Sequence, residues 1–350
     1  MEATGEISRI GYREEVEAAM RTEDMSGISL LGLQDFPGQG TALVGMINSH
    51  MESKPFDFAK PEHFASFFRA QLPLVALPKY TYEVGETLEA EVRIANYGKE
   101  DLTGPVTYCL EGADVKQCGE LPAVTCPAGG ITAAGKIRIA LDRIAQAVRL
   151  DLTVEQAGIC NRYPIWVYPA VRPVCPAEVY EIGVLDEKAV QVLQEGGKVY
   201  LSPDADKGHL PSSIQTQFTT DFWSVGTFAA QEGGMGQLID VNHPILRISQ
   251  RNFTQTGSGA DGFPESDHIP ASGKSDRDGD GQLCLYASDG PAGRIPVRWW
   301  KVDRIIYGTA ESAGISGGRA LLDAIYQYMT TEEFSPKEEI TMKEIQELVK

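Results

Sequence analysis

Apolar and polar positions along this chain change their period twice, and each change predicts a different layer of structure. In GYREEVEAAMRT, Tyr12, Val16, Ala19 and Met20 fall on one face of a helix, and Glu14, Glu15 and Glu17 fall on another. GISLLGLQDF, residues 27 to 36, is a short apolar run that ends in Gln34 and Asp35 before a Pro-Gly turn. That pattern predicts a strand buried on both faces, as in a parallel sheet covered by helices. FPGQGTALVGMINSHME then reads as a loop leading into a helix, and PEHFASFF as the start of another, with Pro61 in its first turn. Helix, buried strand, loop and helix is α/β layering.

From about residue 73 the period becomes two. ETLEAEVRIANYG sets Leu88, Ala90, Val92 and Ile94 on one side and Glu89, Glu91 and Arg93 on the other, a half-buried antiparallel strand. GPVTYCLEG, GKIRIAL, AVRLDLTVE and YPIWVYP repeat the theme between Gly, Pro and Asp turns, which predicts a β-sandwich of roughly 100 residues. The proline-punctuated YPAVRPVCPAE, residues 168 to 178, marks a boundary.

The third region returns to mixed α/β. EVYEIGVL predicts a strand, DEKAVQVLQEG a helix with acidic residues first and Gly196 last, and GKVYLS a second, parallel strand. TTDFWSVGTFAA, MGQLID and HPI continue the compact part, GRALLDAIYQYM is a strongly amphipathic helix, and EEITMKEIQELVK has a last helical pattern.

Length and charge narrow what such a chain does. At roughly 150 residues per domain, 350 residues predict two to three domains. With 31 Lys and Arg against 49 Asp and Glu the net charge is -18, which repels a phosphate backbone, and no basic stripe interleaves with aromatics. Nucleic-acid binding is therefore not expected. No apolar run approaches the roughly 20 residues that span a bilayer, and MEATGEISRI lacks the basic start and apolar core of a signal peptide, so no membrane partner and a cytoplasmic location are expected. Cys109, Cys118, Cys126, Cys160, Cys175 and Cys284 are scattered without a CxxC pair, which favours buried thiols over a disulfide framework or a zinc site.

Taken together, GYREEVEAAMRT, GISLLGLQDFPGQGTALVG, FTTDFWSVGTF and MGQLIDVNHPIL resemble the C-terminal part of family 2 glycoside hydrolases, the β-galactosidase-like enzymes. The resemblance covers about residues 7 to 248 and resumes at GRALLDAIYQYM, with LQDFPGQGTALVG its most specific run. It implies a multidomain chain, α/β plus all-β. Residues 1–72 would be the remnant of the end of a (β/α)8 barrel, 73–172 a β-sandwich and 173–350 a flavodoxin-like α/β domain.

A retaining glycosidase needs a general acid and a nucleophilic carboxylate about 5 Å apart, presented from the ends of separate barrel strands. The resemblance puts both glutamates on strands upstream of Met1, so no residue here takes either catalytic role. What remains is Gln34 and Asp35, where a barrel strand opens into its active-site loop. In an intact barrel their amide and carboxylate would hydrogen-bond sugar hydroxyls. The alternative is structural, with Asp35 capping the turn at Pro37-Gly38 and Gln34 bonding backbone, and it holds for the isolated chain. No cofactor or metal is expected. The implied partners are a carbohydrate in the intact relative, and the missing barrel half or a second copy. The competing reading is a non-catalytic carbohydrate-binding or scaffold protein that associates with a catalytic partner.

Residues 248–317 break the pattern, being rich in Gly, Ser and Asp without clear periodicity. One reading is a disordered insertion and the other a compensated frameshift. Read one base earlier, Ile248 to Gly259 spells Asp-Phe-Pro-Thr-Glu-Phe-Tyr-Thr-Asp-Trp-Gln-Trp in permitted codons, similar to what the family places after its His-Pro strand. Shifted by a base, Val297 to Val302 likewise gives Tyr-Gly-Gly-Gly-Lys-Leu. In the same stretch Asp276, Asp278, Asp280 and Gly281 have calcium-loop spacing, but the twelfth position is Ala287 where a bidentate Glu belongs, leaving a solvated acidic turn as the simpler reading. His50, His63, His209, His243 and His268 have no metal-ligand spacing, no GxSxG elbow is present, and QEGGMGQ lacks the Lys-Ser or Lys-Thr of a phosphate loop. In DFW, Trp223 reads as a core anchor, with Phe228 beside it, more readily than as a sugar platform.

Overall fold

The computed structural model of the protein describes residues 2–36, 45–202, 245, 281–286, 294–301, 316–334, 338–341, 343 and 346. These residues are mostly β, with a small number of helices, and their contacts divide into two units that part between Tyr168 and Pro169.

In the first unit, helix α1 (Glu2–Arg21) and the short α2 (Pro61–Ala65), with Pro61 in its first turn, precede eight strands. These are β1 (Gln71–Ala76), β2 (Thr81–Glu83), β3 (Thr87–Asn96), β4 (Leu102–Gly112), β5 (Val115–Cys126), β6 (Gly130–Ala140), β7 (Val148–Gln156) and β8 (Ile159–Tyr168). They form a three-stranded sheet in the order β1-β3-β6 and a five-stranded sheet in the order β2-β8-β7-β4-β5. All ladders are antiparallel except β2 against β8.

The two sheets share one core, as the period-two pattern predicts. Leu88, Val92, Ile94, Ile137 and Ile139 meet Val106, Leu110, Leu150, Leu152 and Ile165 in it, all buried. Alternation puts the intervening charges outside, where Glu91 pairs with Lys136 at 3.1 Å and Glu89 with Arg138 at 2.7 Å. The β3–β6 ladder shifts register between Val92 and Arg93. The residue opposite Val92 is Gly135, whose φ of +135° is a conformation that glycine tolerates and side chains resist. Strand β5 is not announced by its sequence, because VKQCGELPAVTC carries Gly and Pro inside the run; its cross-strand pairing with β4 holds it.

Helix α1 packs its predicted face inward. Val16 and Met20 join Phe67, Leu72, Leu74 and Ala95, with Tyr12 and Phe64 against them. Glu17 departs from expectation: it is 1% exposed, although the helical pattern put it on the polar face. Two other expectations fail here. GISLLGLQDF is not a buried strand; Leu31 in its middle is 76% exposed, and Gln34 forms an isolated parallel bridge with Ile47. Nor is Gly45–Glu52 helical: Asn48 N donates to Glu52 O at 2.8 Å and closes a turn. Leu31 stays open to solvent, and of the second run Met46 packs on Phe58 and Ala59 from an extended turn, so periodicity alone overstated both elements.

The second unit holds β9 (Val179–Ile182), α3 (Glu187–Gln194), β10 (Lys198–Leu201), β11 (Gly281–Tyr286), β12 (Arg294–Lys301), α4 (Ser316–Thr330) and β13 (Glu338–Thr341). The predicted strand, helix and parallel strand are present: β9 pairs in parallel with β10. The α3 start is capped by Asp186, whose carboxylate accepts from Ala189 N at 2.6 Å, and Gly196 follows its end at φ +83°. On α4, Leu321, Ala324, Ile325, Tyr328 and Met329 are buried, and Tyr326 stacks edge-on to Tyr200 at 5.5 Å.

The sheet order β13-β12-β11-β10-β9 has one parallel ladder and three antiparallel ones, whereas a flavodoxin-like sheet is parallel throughout. Strands β11 and β12 stand inside the stretch expected to be irregular, and Glu338–Thr341 pairs as a strand where the tail pattern predicted helix. Cross-strand pairing, a long-range interaction, overrides local periodicity at both places. The DFW residues, QEGGMGQ, His209, His243, His268 and Asp276 to Asp280 lie outside the described residues.

Candidate functional site

The two residues read as a remnant sugar site sit next to each other and are already engaged. Asp35 is buried and its Oδ1 accepts from Lys54 Nζ at 2.9 Å and from Gly45 N at 2.8 Å. The Gln34 amide donates to Ser49 O at 2.9 Å. Backbone bonds from Asp35 N to Ile47 O, 2.9 Å, and from Ile47 N to Leu33 O, 3.1 Å, fix both residues. Gly45 is required for this approach, since a Cβ there would lie 2.5 Å from Asp35 N. Lys54 and Gly45 were not among the residues singled out from the sequence. Nothing local in KPFDF or ALVGM marks them as partners of Asp35.

Around this centre the surface is unusually apolar. Met25, Ile28, Leu31, Leu33, Phe36, Met51 and Phe68 are all exposed large hydrophobics, with Leu31 and Met51 the most open at 76% and 67%. Beside them lies a mainly apolar hollow of about 330 Å3, between the Val16–Met20 side of α1, residues 25 to 28, Phe68 and Tyr97. Exposed large apolar side chains in such number mark interaction sites on folded proteins.

Beneath that surface, α1 is tied to the sandwich by a buried polar cluster. Glu17 Oε1 accepts from Arg13 Nε at 2.9 Å and Asn161 Nδ2 at 3.0 Å, and its Oε2 accepts from Tyr163 Oη at 2.7 Å. Asn161 Nδ2 also points at Pro73 O and Tyr163 Oη, so its two protons are shared among three acceptors. Arg13 Nη2 donates to Arg162 O at 2.7 Å and to Asn161 Oδ1 at 3.2 Å, and its guanidinium lies 4.4 Å from the Tyr163 ring centre. Burial alone would depress Arg13, but Glu17, Tyr163 and Tyr80 together outweigh it and hold Arg13 above its ordinary value. Burial and then the Glu17 charge push the Tyr163 phenol well up, and burial with Glu14 does the same to Tyr80. The groups of this cluster satisfy one another, and its chemistry is structural.

The cysteines also differ from expectation. Cys109 and Cys118 form a disulfide across the β4–β5 ladder, Cys126 is buried and Cys160 is exposed. The pairing depends on register, which sets Cys109 opposite Cys118 and is invisible in the spacing. Among the described residues, no three His, Cys, Asp or Glu side chains group as metal ligands would, and no helix is long and apolar enough to cross a membrane.

Two domains of unknown function match by sequence: DUF8488 over residues 86–169, which spans β3 to β8, and DUF8487 over residues 180–255. No curated protein matches. Among solved structures, distant partial likenesses include the alkylpurine DNA glycosylase AlkC of Pseudomonas fluorescens bound to DNA containing an abasic site analog, at 10% identity and TM-score 0.25 over 31% of this chain and 33% of that one. Another is the β-glucosidase of Listeria innocua in complex with glucose, at 15% identity and TM-score 0.24 over 30% of this chain and 17% of that one. A third is a Paenibacillus cycloisomaltooligosaccharide glucanotransferase, at 10% identity and TM-score 0.23 over 34% of this chain and 17% of that one. The chain thus spans a third or less of each of these proteins. At these scores they define neither its fold nor its activity.

Proposed function

We propose that this chain is the non-catalytic C-terminal portion of a β-galactosidase-like glycoside hydrolase, inactive alone, that completes a catalytic partner. In this reading residues 1–72 are the end of a (β/α)8 barrel, 73–172 its following sandwich and 173–350 an α/β domain with a mixed sheet. Gln34 and Asp35 then stand at the mouth of a barrel whose acid and nucleophile lie outside these 350 residues. The observation that carries the reading is the exposure of Ile28, Leu31, Leu33 and Phe36 on a run whose composition demands burial on both faces. The barrel half is the partner that covers those side chains and supplies catalysis, a second copy would cover them without catalysis, and no nucleic acid, membrane or cofactor has a part in it.

Coexpression with the polypeptide encoded immediately upstream tests this directly. The expected result is a stable complex that hydrolyses p-nitrophenyl β-galactoside, no hydrolysis by either chain alone, and loss of both complex and activity in Leu31→Asp. Hydrolysis by this chain alone, or no association with that polypeptide and no self-association, overturns it. A cytoplasmic location is proposed with it, and Cys109–Cys118 supplies the test. Thiols trapped in intact cells would be reduced at that pair in the cytoplasm and oxidised in an oxidising compartment.

A second reading, a carbohydrate-binding module that works without catalysis, is favoured by a polar hollow on the outer face of the five-stranded sheet.

A further inference from the structure

The outer face of β5-β4-β7-β8 is concave, with a hollow of about 620 Å3, inside the range of about 300–1,000 Å3 typical of small-ligand sites. Strand register arranges its lining in rows. One row runs Glu120, Thr107 and Glu155 across β5, β4 and β7, and the next runs Cys118, Cys109, Thr153 and Arg162 across all four strands. A third row begins with the Lys116–Glu111 ion pair at 3.1 Å, which closes one end of the hollow.

Elsewhere on the sandwich surface, strand charges neutralise one another, across strands in Glu91–Lys136 and Glu89–Arg138 and along β7 in Arg149–Asp151. The hollow is the exception. Among the described residues, the side chains of Glu120, Glu155 and Arg162 meet no ion-pair or hydrogen-bond partner, and the hydroxyls of Thr107 and Thr153 are likewise unengaged.

Unused acceptors and donors that alternate over neighbouring positions are what a polyhydroxyl ligand needs. Each sugar hydroxyl donates one hydrogen bond and accepts others, so a carboxylate beside a guanidinium or a threonine serves one hydroxyl in both directions. Charge selects further. With Lys116 and Glu111 neutralising each other, two carboxylates face one guanidinium, which repels phosphates and other anions and leaves neutral polyols favoured. The Cys109–Cys118 disulfide supplies a polarisable, apolar stretch of floor against which a C–H face packs.

We infer that this hollow is a carbohydrate-binding site for neutral oligosaccharides, with Glu120, Glu155 and Arg162 as the principal contacts. The inference rests on the carbohydrate reading above and adds to it a location on the sandwich, on strands distinct from the apolar surface around Leu31. The site is wide and open, and the one aromatic ring in its lining, Tyr108, is half-buried, so affinity is weak and specificity comes from hydroxyl pattern.

Calorimetric titration of the full chain with cellobiose and with lactose tests it. Saturable binding of at least one disaccharide is expected in the millimolar range, weakened at least about fivefold by Arg162→Ala and by Glu155→Gln through loss of a charge-assisted hydrogen bond. Lys136→Ala, on the opposite sheet, is the control and leaves binding unchanged. Circular dichroism confirms that each variant folds. Failure of both disaccharides to saturate, or equal affinity in Arg162→Ala, overturns the inference. So does spermidine binding that exceeds that of either sugar and disappears in Glu155→Gln, which makes the hollow a cation site. Leu31→Asp leaves sugar binding intact, so loss of docking and loss of sugar binding are read separately.

Discussion

Tyr163 of β8 donates to Glu17 of α1 at 2.7 Å, and the two residues are both about 1% exposed. The bond joins the N-terminal helix to the sandwich through groups removed from water, where an unmatched partner is costly. Arg13 and Asn161 complete the arrangement, and Val75 N donates to the same tyrosine oxygen at 3.0 Å. The N-terminal segment and the sandwich therefore stand or fall together in stability measurements.

Glu17→Ala should be among the most destabilising single changes in the first unit. It takes from Tyr163 its acceptor and from Arg13 its carboxylate partner, a loss of about 3–5 kcal/mol. Tyr163→Phe keeps the ring under Arg13 and costs less, about 1–3 kcal/mol, for the groups left without a partner. Urea denaturation followed by circular dichroism checks both values, and an effect of Glu17→Ala below that of Tyr163→Phe contradicts the assignment.

Stability should fall at alkaline pH. Tyr80 and Tyr163 keep their protons in the folded protein at pH values where the unfolded chain releases them, because burial and the neighbouring Glu14 and Glu17 raise both phenols. Their contribution is fully present below the unfolded tyrosine value of about 10 and is lost as pH rises above it. Phenolate absorbance near these residues should therefore appear together with unfolding. In Tyr80→Phe and Tyr163→Phe the alkaline loss of stability should be smaller, and unchanged pH dependence in both variants counts against the prediction.

The Asp35–Lys54 pair is equally buried, with 7% side-chain exposure on each partner, and so Lys54→Met leaves a buried carboxylate with only Gly45 N to satisfy it. We expect a loss of about 3–5 kcal/mol from this single change and a smaller one from the double change with Asp35→Leu, since removing both charges removes the penalty. A double-mutant cycle measures the coupling. Additive losses place the two groups outside each other's influence.

Cys109→Ser with Cys118→Ser should lower stability by about 2 kcal/mol through the freer unfolded hairpin. Peptide mapping after alkylation of the folded protein should label Cys160 first, leave Cys126 unlabelled until unfolding, and find Cys109 and Cys118 linked. Rapid labelling of Cys109 without reductant excludes the bridge.

For the 248–317 stretch, resequencing the locus separates the two readings. A single-base change on each side gives a compensated frameshift, and a confirmed frame makes β11 and β12 native strands of the second unit.

What the sequence determined by itself was local periodicity where burial enforces it. Leu88, Ala90, Val92 and Ile94 alternate because one face of β3 meets the core and the other meets water, and that constraint is written residue by residue. Asp186, the acidic start of α3 and Gly196 likewise announce a helix through groups only a few positions apart. Tertiary structure decided everything that depends on residues far apart in sequence. Glu17 is buried because Asn161 and Tyr163, more than 140 positions away, satisfy its carboxylate. Cys109 meets Cys118 because register aligns them, and Glu120, Thr107, Glu155 and Arg162 converge on one hollow because four strands pair as they do. The run around Leu31 makes the same point from the other side. Its composition asks for burial, but burial requires a neighbouring surface, and composition does not provide one.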